Sequence, residues 1–181
     1  MELSLTERAL RIAAVAHKDQ MRKEGDIPYI VHPVMVAIDL KTRGFAEEVV
    51  AAALVHDVLE DTEFSEAHME AELGSAVMDI VRAVTNDDSL SWEEKKLKYI
   101  DTVREAGEAA MAVATADKIH NAESLIAAHG VYGEGVWANF NAGREKKIWF
   151  EEAMRAMLEE SWDHPLVERY AQLVREIKAL V

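Results

Sequence analysis

The stretch ALVHDVLEDT, residues 53–62, places four polar residues within an otherwise apolar helical pattern and contains no lysine or arginine. At 100° per residue these four fall within an arc of roughly 140°; they are His56, Asp57, Glu60 and Asp61. The opposite side holds only small and branched apolar residues: Ala51, Ala52, Val55, Val58 and Leu59. Two carboxylates one turn apart weaken a bare helix by a few tenths of a kcal/mol, and a bound cation reverses that sign. The stretch therefore predicts a helix that packs on one face and holds a cation on the other.

The composition limits the class of protein. With 181 residues, of which 50% are hydrophobic, the chain is long enough to bury a core, and we expect one domain spanning residues 1–181. It contains no cysteine, so any metal site must use nitrogen and oxygen ligands, as suits a reducing cytoplasmic location. The N-terminus lacks the features of a signal peptide, and no apolar run approaches the ~18 residues of a membrane span.

The charge indicates which partners are disfavoured. A formal net charge of −14 repels nucleic acid and anionic membranes. A small anionic substrate needs only a metal and a local cationic cluster, and Arg22 and Lys23 are the candidate cluster. The sequence leaves the oligomeric state open, with a homodimer as one arrangement that it allows.

The local patterns predict an all-α fold, a bundle of about eight to ten helices. The chain has three prolines and eight glycines, and it lacks both hairpin turn pairs and strict apolar–polar alternation. Capping residues and glycines mark the expected boundaries. The helices expected besides the one carrying the opening stretch are Ser4 to about Gln20, Pro33 to Gly44, Ser65 to Gly74, Ser75 to about Val84, Ser91 to Ala106, an apolar helix after Gly107, about Val136 to Glu159, and Pro165 to the end.

Three positions elsewhere complete a candidate metal pocket. His32 begins the second helix, Asp117 interrupts an apolar helical face, and Asn121 follows one turn later. Two imidazoles and two carboxylates, from His32, His56, Asp57 and Asp117, suit Mn²⁺, Fe²⁺ or Zn²⁺. A divalent cation activates water and polarises a phosphoryl oxygen, which is the chemistry of a phosphohydrolase. Glu60 and Asp61 are then suited to handling protons. Their alternative role is a solvated helix face.

Three blocks of the chain resemble the HD-type phosphohydrolases, and within them the hydrolase domain of the RelA/SpoT alarmone enzymes and the stand-alone small alarmone hydrolases of the metazoan SpoT homologue type. The blocks are AHKDQMRKEGDIPYIVHPVMVA at residues 16–37, ALVHDVLEDT at 53–62 and ADKIHN at 116–121. Their order and spacing cover roughly the first two-thirds of the chain.

The resemblance implies an all-helical fold and hydrolysis of the 3′-pyrophosphate of guanosine 3′,5′-bispyrophosphate (ppGpp) with bound Mn²⁺; Fe²⁺, Zn²⁺ and Mg²⁺ are the alternatives. It assigns metal binding to His32, His56, Asp57 and Asp117, and catalysis to Glu60 and Asp61. It assigns substrate contacts to Arg22, Lys23 and Asn121, and we add Arg144 as a further candidate cation. Without the resemblance, Arg22 and Lys23 are equally consistent with a solvated loop, and Asn121 with a hydrogen bond inside the bundle.

Two departures from the family pattern keep the substrate open. Ala122 and Glu123 stand where many members carry a Leu-Arg pair, and Ile148 and Trp149 stand where an aromatic hydroxyl is expected. The alternatives are a phosphohydrolase acting on a nucleoside monophosphate, an NADPH-like dinucleotide or a cyclic nucleotide, and a catalytically silent module that binds a nucleotide or a helix. Five other histidines lack a partner pattern and are expected at the surface or behind the ligands: His17, His68, His120, His129 and His164.

Overall fold

A computed structural model of the chain describes residues 3–22, 26–87 and 89–180. Over these ranges the regular structure is helical, apart from an isolated antiparallel bridge between Met21 and Pro28. This confirms the predicted all-α class. The α-helices are α1 (Leu5–Ala16), α2 (Val31–Thr42), α3 (Glu47–Val55), α4 (Val58–Asp61), α5 (Glu66–Leu73), α6 (Ser75–Ala83), α7 (Trp92–Ala106), α8 (Glu108–Tyr132), α9 (Gly143–Ser161) and α10 (Pro165–Ala179); a 3-10 helix spans Gly133–Asn139.

The described residues form two compact units, one up to Asp117 and one from Lys118. In the first unit α3 is the central helix, since it packs against α1, α2 and α6. Every residue from Val49 to Val55 is buried. A helix that is apolar on all sides is stable only inside a core, which explains this position. The residues that follow α3 are therefore held by a rigid, buried support.

The helix carrying the opening stretch is interrupted at its polar pair, which the sequence did not predict. α3 ends at Val55 and the short α4 begins at Val58, leaving His56 and Asp57 in a turn between them. The side chain of His56 bonds through Nδ1 to the carbonyl of Ala53, at 2.8 Å. In an unbroken helix that carbonyl would accept from the backbone N–H of Asp57. Competition of a side chain for a backbone acceptor is a known way to end a helix.

Most of the expected helix boundaries agree with the structure. Ser4 and Ser65 accept backbone N–H bonds at the starts of α1 and α5, and Ser91 with Glu94 forms a capping box at the start of α7. Gly44 and Gly74 follow helix ends with φ near +84° and +83°, a backbone region that favours glycine.

Two boundaries were wrong. The first helix, expected to run to about Gln20, ends at Ala16. The long helix expected from about Val136 begins only at Gly143, because the preceding residues form the 3-10 helix. In this second unit, α9 packs against α10 and the 3-10 helix. The boundary between the units lies within the continuous helix α8, and the single domain expected for residues 1–181 stays a prediction. No helix within the described residues is both long enough and apolar enough to cross a membrane.

Candidate metal centre

Four of the predicted site residues come from three places in the first unit and meet in space. His32 lies in the first turn of α2, where it precedes Pro33. His56 and Asp57 occupy the turn between α3 and α4, and Asp117 lies within α8. His32, His56 and Asp117 are buried, and Asp57 is partly exposed.

The ligand-type atoms of this cluster face one another. Oδ2 of Asp57 lies 3.1 Å from Nε2 of His56 and 3.5 Å from Nε2 of His32. Oδ1 of Asp117 lies 3.0 Å from Nε2 of His32 and 3.6 Å from Nε2 of His56. His32, His56 and Asp57 each offer an atom within 4.8 Å of the others, so the three form a candidate site for a divalent metal.

The protonation of His56 provides a test of whether a cation fits this site. Because the carbonyl of Ala53 only accepts, Nδ1 of the neutral ring carries the proton and Nε2 presents its lone pair to Asp57 and Asp117. Among the described residues, no hydrogen bond of acceptable geometry reaches this Nε2. A lone pair facing carboxylate oxygens is unfavourable unless a proton or a metal ion lies between them. The donor set, imidazole nitrogen with carboxylate oxygen, suits a divalent transition metal.

The pKa shifts describe the same conflict. Burial lowers the pKa of His56, but the carboxylates of Asp57 and Asp117 outweigh it and raise that pKa well above its usual value. For the Asp57 carboxyl, burial acts in the opposite direction and raises the pKa. The facing imidazoles of His56 and His32 outweigh burial, and the pKa of Asp57 is lowered. Both shifts favour a positive charge, from a proton or a metal ion, between the imidazoles and the carboxylates.

Tyr29 and His17 belong to this site, although no role was predicted for Tyr29 and none was defended for His17. The Tyr29 hydroxyl donates to Oδ2 of Asp57 at 2.6 Å. His17 is buried, its ring centroid lies 4.8 Å from that of Tyr29, and its Nδ1 lies 2.6 Å from Oε1 of Gln20. The signal available in the sequence was their presence in the same block as His32, residues 16–37.

The adjacent carboxylates Glu60 and Asp61 have different surroundings. Oε2 of Glu60 accepts from the backbone N–H of Asn86 at 3.1 Å and from its side-chain amide at 2.8 Å. Loss of water around Asp61 and the negative charges of Asp57 and Glu60 raise the pKa of Asp61 to about 6, against weaker opposing effects of Tyr29 and His17. One carboxylate is therefore held in place, and the other titrates near neutral pH.

The predicted substrate residues lie in different parts of the chain. The guanidinium of Arg22 lies 5.8 Å from the centre of the Tyr29 ring, next to the cluster. Lys23 lies outside the described residues. Asn121 lies on α8 in the second unit, one turn after Asp117.

The guanidinium of Arg144 makes its contacts within the second unit. Its guanidinium lies 5.2 Å from the centre of the Trp137 ring, 3.3 Å from Glu134 and against the carbonyl of Leu180. These contacts account for the position of Arg144 without a substrate. Its predicted contact with substrate stays a prediction. Glu123, the unexpected anion, forms an ion pair with Arg169 at 2.8 Å.

Comparisons with known proteins place these observations in a family. The family model for the HD domain matches residues 9–147. The guanosine-3′,5′-bis(diphosphate) 3′-pyrophosphohydrolase MESH1 of Danio rerio is 35% identical over 119 residues, which are 64% of this chain and 66% of that protein. The guanosine-3′,5′-bis(diphosphate) 3′-pyrophosphohydrolase of Haemophilus influenzae is 35% identical over 120 residues, 63% of this chain but only 18% of that protein.

A solved structure gives the same result for the fold. The structure of a metazoan orthologue of SpoT that hydrolyses ppGpp aligns with 100% of this chain and 99% of its own, with a TM-score of 0.82 and 27% sequence identity. The predicted resemblance to HD-type proteins is thereby confirmed. Because the family model spans more than half of the residues, including His32, His56, Asp57 and Asp117, this chain belongs to the HD domain family.

Proposed function

We propose that this protein is a metal-dependent phosphohydrolase that removes the 3′-pyrophosphate of ppGpp, giving GDP and pyrophosphate. The observation that carries the proposal is the convergence of His32, His56, Asp57 and Asp117, with the ionisable Asp61 one turn beyond Asp57. The activity named for the Danio rerio and Haemophilus influenzae relatives supports this choice of substrate.

The four converging residues are the proposed metal ligands, and Mn²⁺ is the proposed metal, with Fe²⁺, Zn²⁺ and Mg²⁺ as alternatives. When bound, such a cation lowers the pKa of water and polarises a phosphoryl oxygen. His56 would bind through Nε2, since Nδ1 bonds to Ala53. The buried position of both imidazoles excludes bulk water from their side of the site.

Asp61 is the proposed general base. A base works best when its pKa lies near the working pH, and the pKa of Asp61 is raised to about 6. It would accept the proton of the water that attacks the phosphorus nearest the ribose. Glu60, held by Asn86, is the proposed partner that takes up a proton from solvent and passes it to the leaving 3′-oxygen as the P–O bond breaks.

The proposed nucleotide contacts are Arg22, Lys23, Asn121 and Arg144. Arg22 has the strongest structural support, because its guanidinium lies beside Tyr29, whose hydroxyl bonds to Asp57. A planar guanidinium stacks well on a nucleobase. We further propose that residues 1–181 act as one domain and that the protein is cytoplasmic.

A substrate panel tests the proposal. The purified protein is incubated with Mn²⁺ and, separately, ppGpp, a nucleoside monophosphate, NADPH and a cyclic nucleotide, and the products are separated by anion-exchange chromatography. We expect GDP and pyrophosphate from ppGpp, at a kcat/KM well above that for the other compounds. Hydrolysis of another compound without formation of GDP would contradict the substrate assignment but not the reaction class.

A second candidate, hydrolysis of a different nucleotide, is favoured by Glu123. This residue adds negative charge where a family cation is expected, and its ion pair with Arg169 engages a cation of α10. Glu123→Arg separates the two candidates. If Glu123→Arg raises kcat/KM for ppGpp and loses activity on another nucleotide, the natural substrate is that other nucleotide, as the second candidate function states.

A further inference from the structure

The hydroxyl of Tyr29 contacts the candidate ligand set from outside the four ligand positions. It donates to Oδ2 of Asp57 at 2.6 Å. That oxygen is also the atom of Asp57 that lies 3.1 Å from Nε2 of His56 and 3.5 Å from Nε2 of His32. We propose that Tyr29 is a positioning residue that orients Asp57 for metal binding, an inference that rests on the metal site of the proposed function.

Tyr29 is itself held firmly in place. Its backbone N–H donates to the carbonyl of Gln20 at 2.9 Å, beside the bridge between Met21 and Pro28. Its ring lies against His17 on one side, with centroids 4.8 Å apart, and meets the ring of His32 edge-on at 5.8 Å. The ring position is fixed by packing, so the hydroxyl has little freedom to turn away from Asp57.

A hydrogen-bond donor in this position restricts the rotation of the Asp57 carboxylate without competing with a metal ion for its oxygen. A carboxylate oxygen has two lone pairs, so Oδ2 of Asp57 can accept from Tyr29 and still bind a cation. A lysine or arginine there would neutralise Asp57 and repel the metal, whereas a phenol is uncharged. Partners that hold a ligating carboxylate typically change metal affinity by about 10- to 100-fold.

Tyr29→Phe separates this role from simple packing. Phenylalanine keeps the ring between His17 and His32 and removes only the hydroxyl. The chain also offers a matched control, because the buried hydroxyl of Tyr170 donates to the carboxylate of Glu151 in the second unit. Tyr170→Phe therefore also deletes a tyrosine–carboxylate hydrogen bond, but one to a residue that is not a proposed ligand.

The test is calorimetric titration of Mn²⁺ into the metal-free wild-type protein and both variants, with circular dichroism to compare their folds. We expect the dissociation constant for Mn²⁺ to rise by about 10- to 100-fold in Tyr29→Phe and to be unchanged in Tyr170→Phe. An affinity of Tyr29→Phe within twofold of the wild-type value would overturn the proposal. So would a wild-type protein that binds no Mn²⁺.

A second measurement distinguishes positioning from a general loss of structure. If Tyr29 acts through metal binding, raising the Mn²⁺ concentration at about pH 8, where Asp61 is ionised in both proteins, should return the kcat of Tyr29→Phe for ppGpp to within about threefold of wild type. A kcat that stays low at saturating Mn²⁺ would overturn the proposal. The titration uses no nucleotide, so a wild-type protein that binds Mn²⁺ but leaves ppGpp intact would contradict the proposed function alone.

Discussion

At the scale of single residues, Asp61 is a carboxylate whose surroundings oppose its ionisation. Loss of water around this side chain, together with the negative charges of Asp57 and Glu60, raises its pKa to about 6. A carboxyl group with a raised pKa makes folding less favourable wherever it is ionised, because the unfolded chain ionises more easily. This cost is absent below the ordinary carboxyl pKa and fully present above about pH 6.

Asp61→Asn should therefore have opposite effects on activity and stability. We expect kcat for ppGpp to fall by about 10²- to 10⁴-fold, since the proposed base is lost. The melting temperature of the metal-free variant at pH 7.5 should be above that of the wild-type protein, because the repulsion is removed. Stopped assays and thermal melts measure the two effects.

The pH dependence supplies the control for Asp61. Wild-type kcat/KM should fall as the pH drops through about 6, where Asp61 takes up a proton, and bound metal should shift this limb to lower pH. Asp61→Asn should lack the limb. An unchanged acid limb in this variant would show that a different group is the base.

Residue identity predicted the convergence of the four proposed ligands better than it predicted the residues around them. His56, Asp57 and Asp117 were found from the sequence because each interrupts an apolar pattern, and His32 because it begins the second helix beside Pro33. The structure brings all four together. Tyr29 and His17 gave no such signal, because buried aromatic residues are common in any core. Their relation to Asp57 depends on the fold of the loop after α1.

At the scale of elements, the loop between α6 and α7 holds Glu60 in place. The backbone and side-chain amides of Asn86 both donate to Glu60, and the ammonium of Lys96 donates to the side-chain carbonyl of Asn86 at 3.1 Å. A chain of hydrogen bonds therefore connects α7 to the end of α4. Neither spacing nor periodicity predicts it, because it joins positions 26 residues apart through a loop.

Asn86→Ala tests this connection. It removes one of the two donors to Glu60, and a hydrogen bond contributes about 0.5–1.5 kcal/mol, so kcat for ppGpp should fall roughly 2- to 12-fold. The affinity for Mn²⁺ should not change. Asn141→Ala, at an exposed asparagine of the second unit, is the control and should leave kcat as in the wild type. A kcat for Asn86→Ala equal to that of the wild type would show that this chain of hydrogen bonds does not contribute to catalysis.

The burial of α3 leads to a prediction about stability. Ala52 is completely buried where α3 packs against its neighbours, so Ala52→Leu should overpack the core and lower the free energy of unfolding by about 1–3 kcal/mol. Ala67→Leu, on the exposed side of α5, should change it by less than about 0.5 kcal/mol. Urea denaturation measures both. Equal midpoints would contradict the central position of α3.

At the scale of the whole molecule, metal binding should stabilise the folded protein. A ligand at 100 times its dissociation constant contributes about 2.7 kcal/mol, which raises the melting temperature of a protein of this size by roughly 5–11 °C. Differential scanning calorimetry with and without Mn²⁺ measures this shift, and Asp57→Ala should abolish it.

The same calorimetric scan tests the single domain predicted from the composition. One domain should melt in one transition, and that whole transition should move with Mn²⁺. Two transitions, of which only one responds to the metal, would show that the units meeting within α8 unfold independently. The composition could not predict this division, because it falls inside a helix and the residues on either side of it, 114–121, include no glycine or proline.

The central claim is that His32, His56, Asp57 and Asp117 form a metal centre that hydrolyses ppGpp. Its most direct measurement is the rate of GDP formation from ppGpp by the metal-free protein, the Mn²⁺-loaded protein and Mn²⁺-loaded Asp57→Ala, with Asp79→Ala, at an exposed aspartate of α6, as control. We predict GDP formation only by the Mn²⁺-loaded wild-type protein and the control. Equal rates with and without metal, or full activity of Asp57→Ala, would contradict the account.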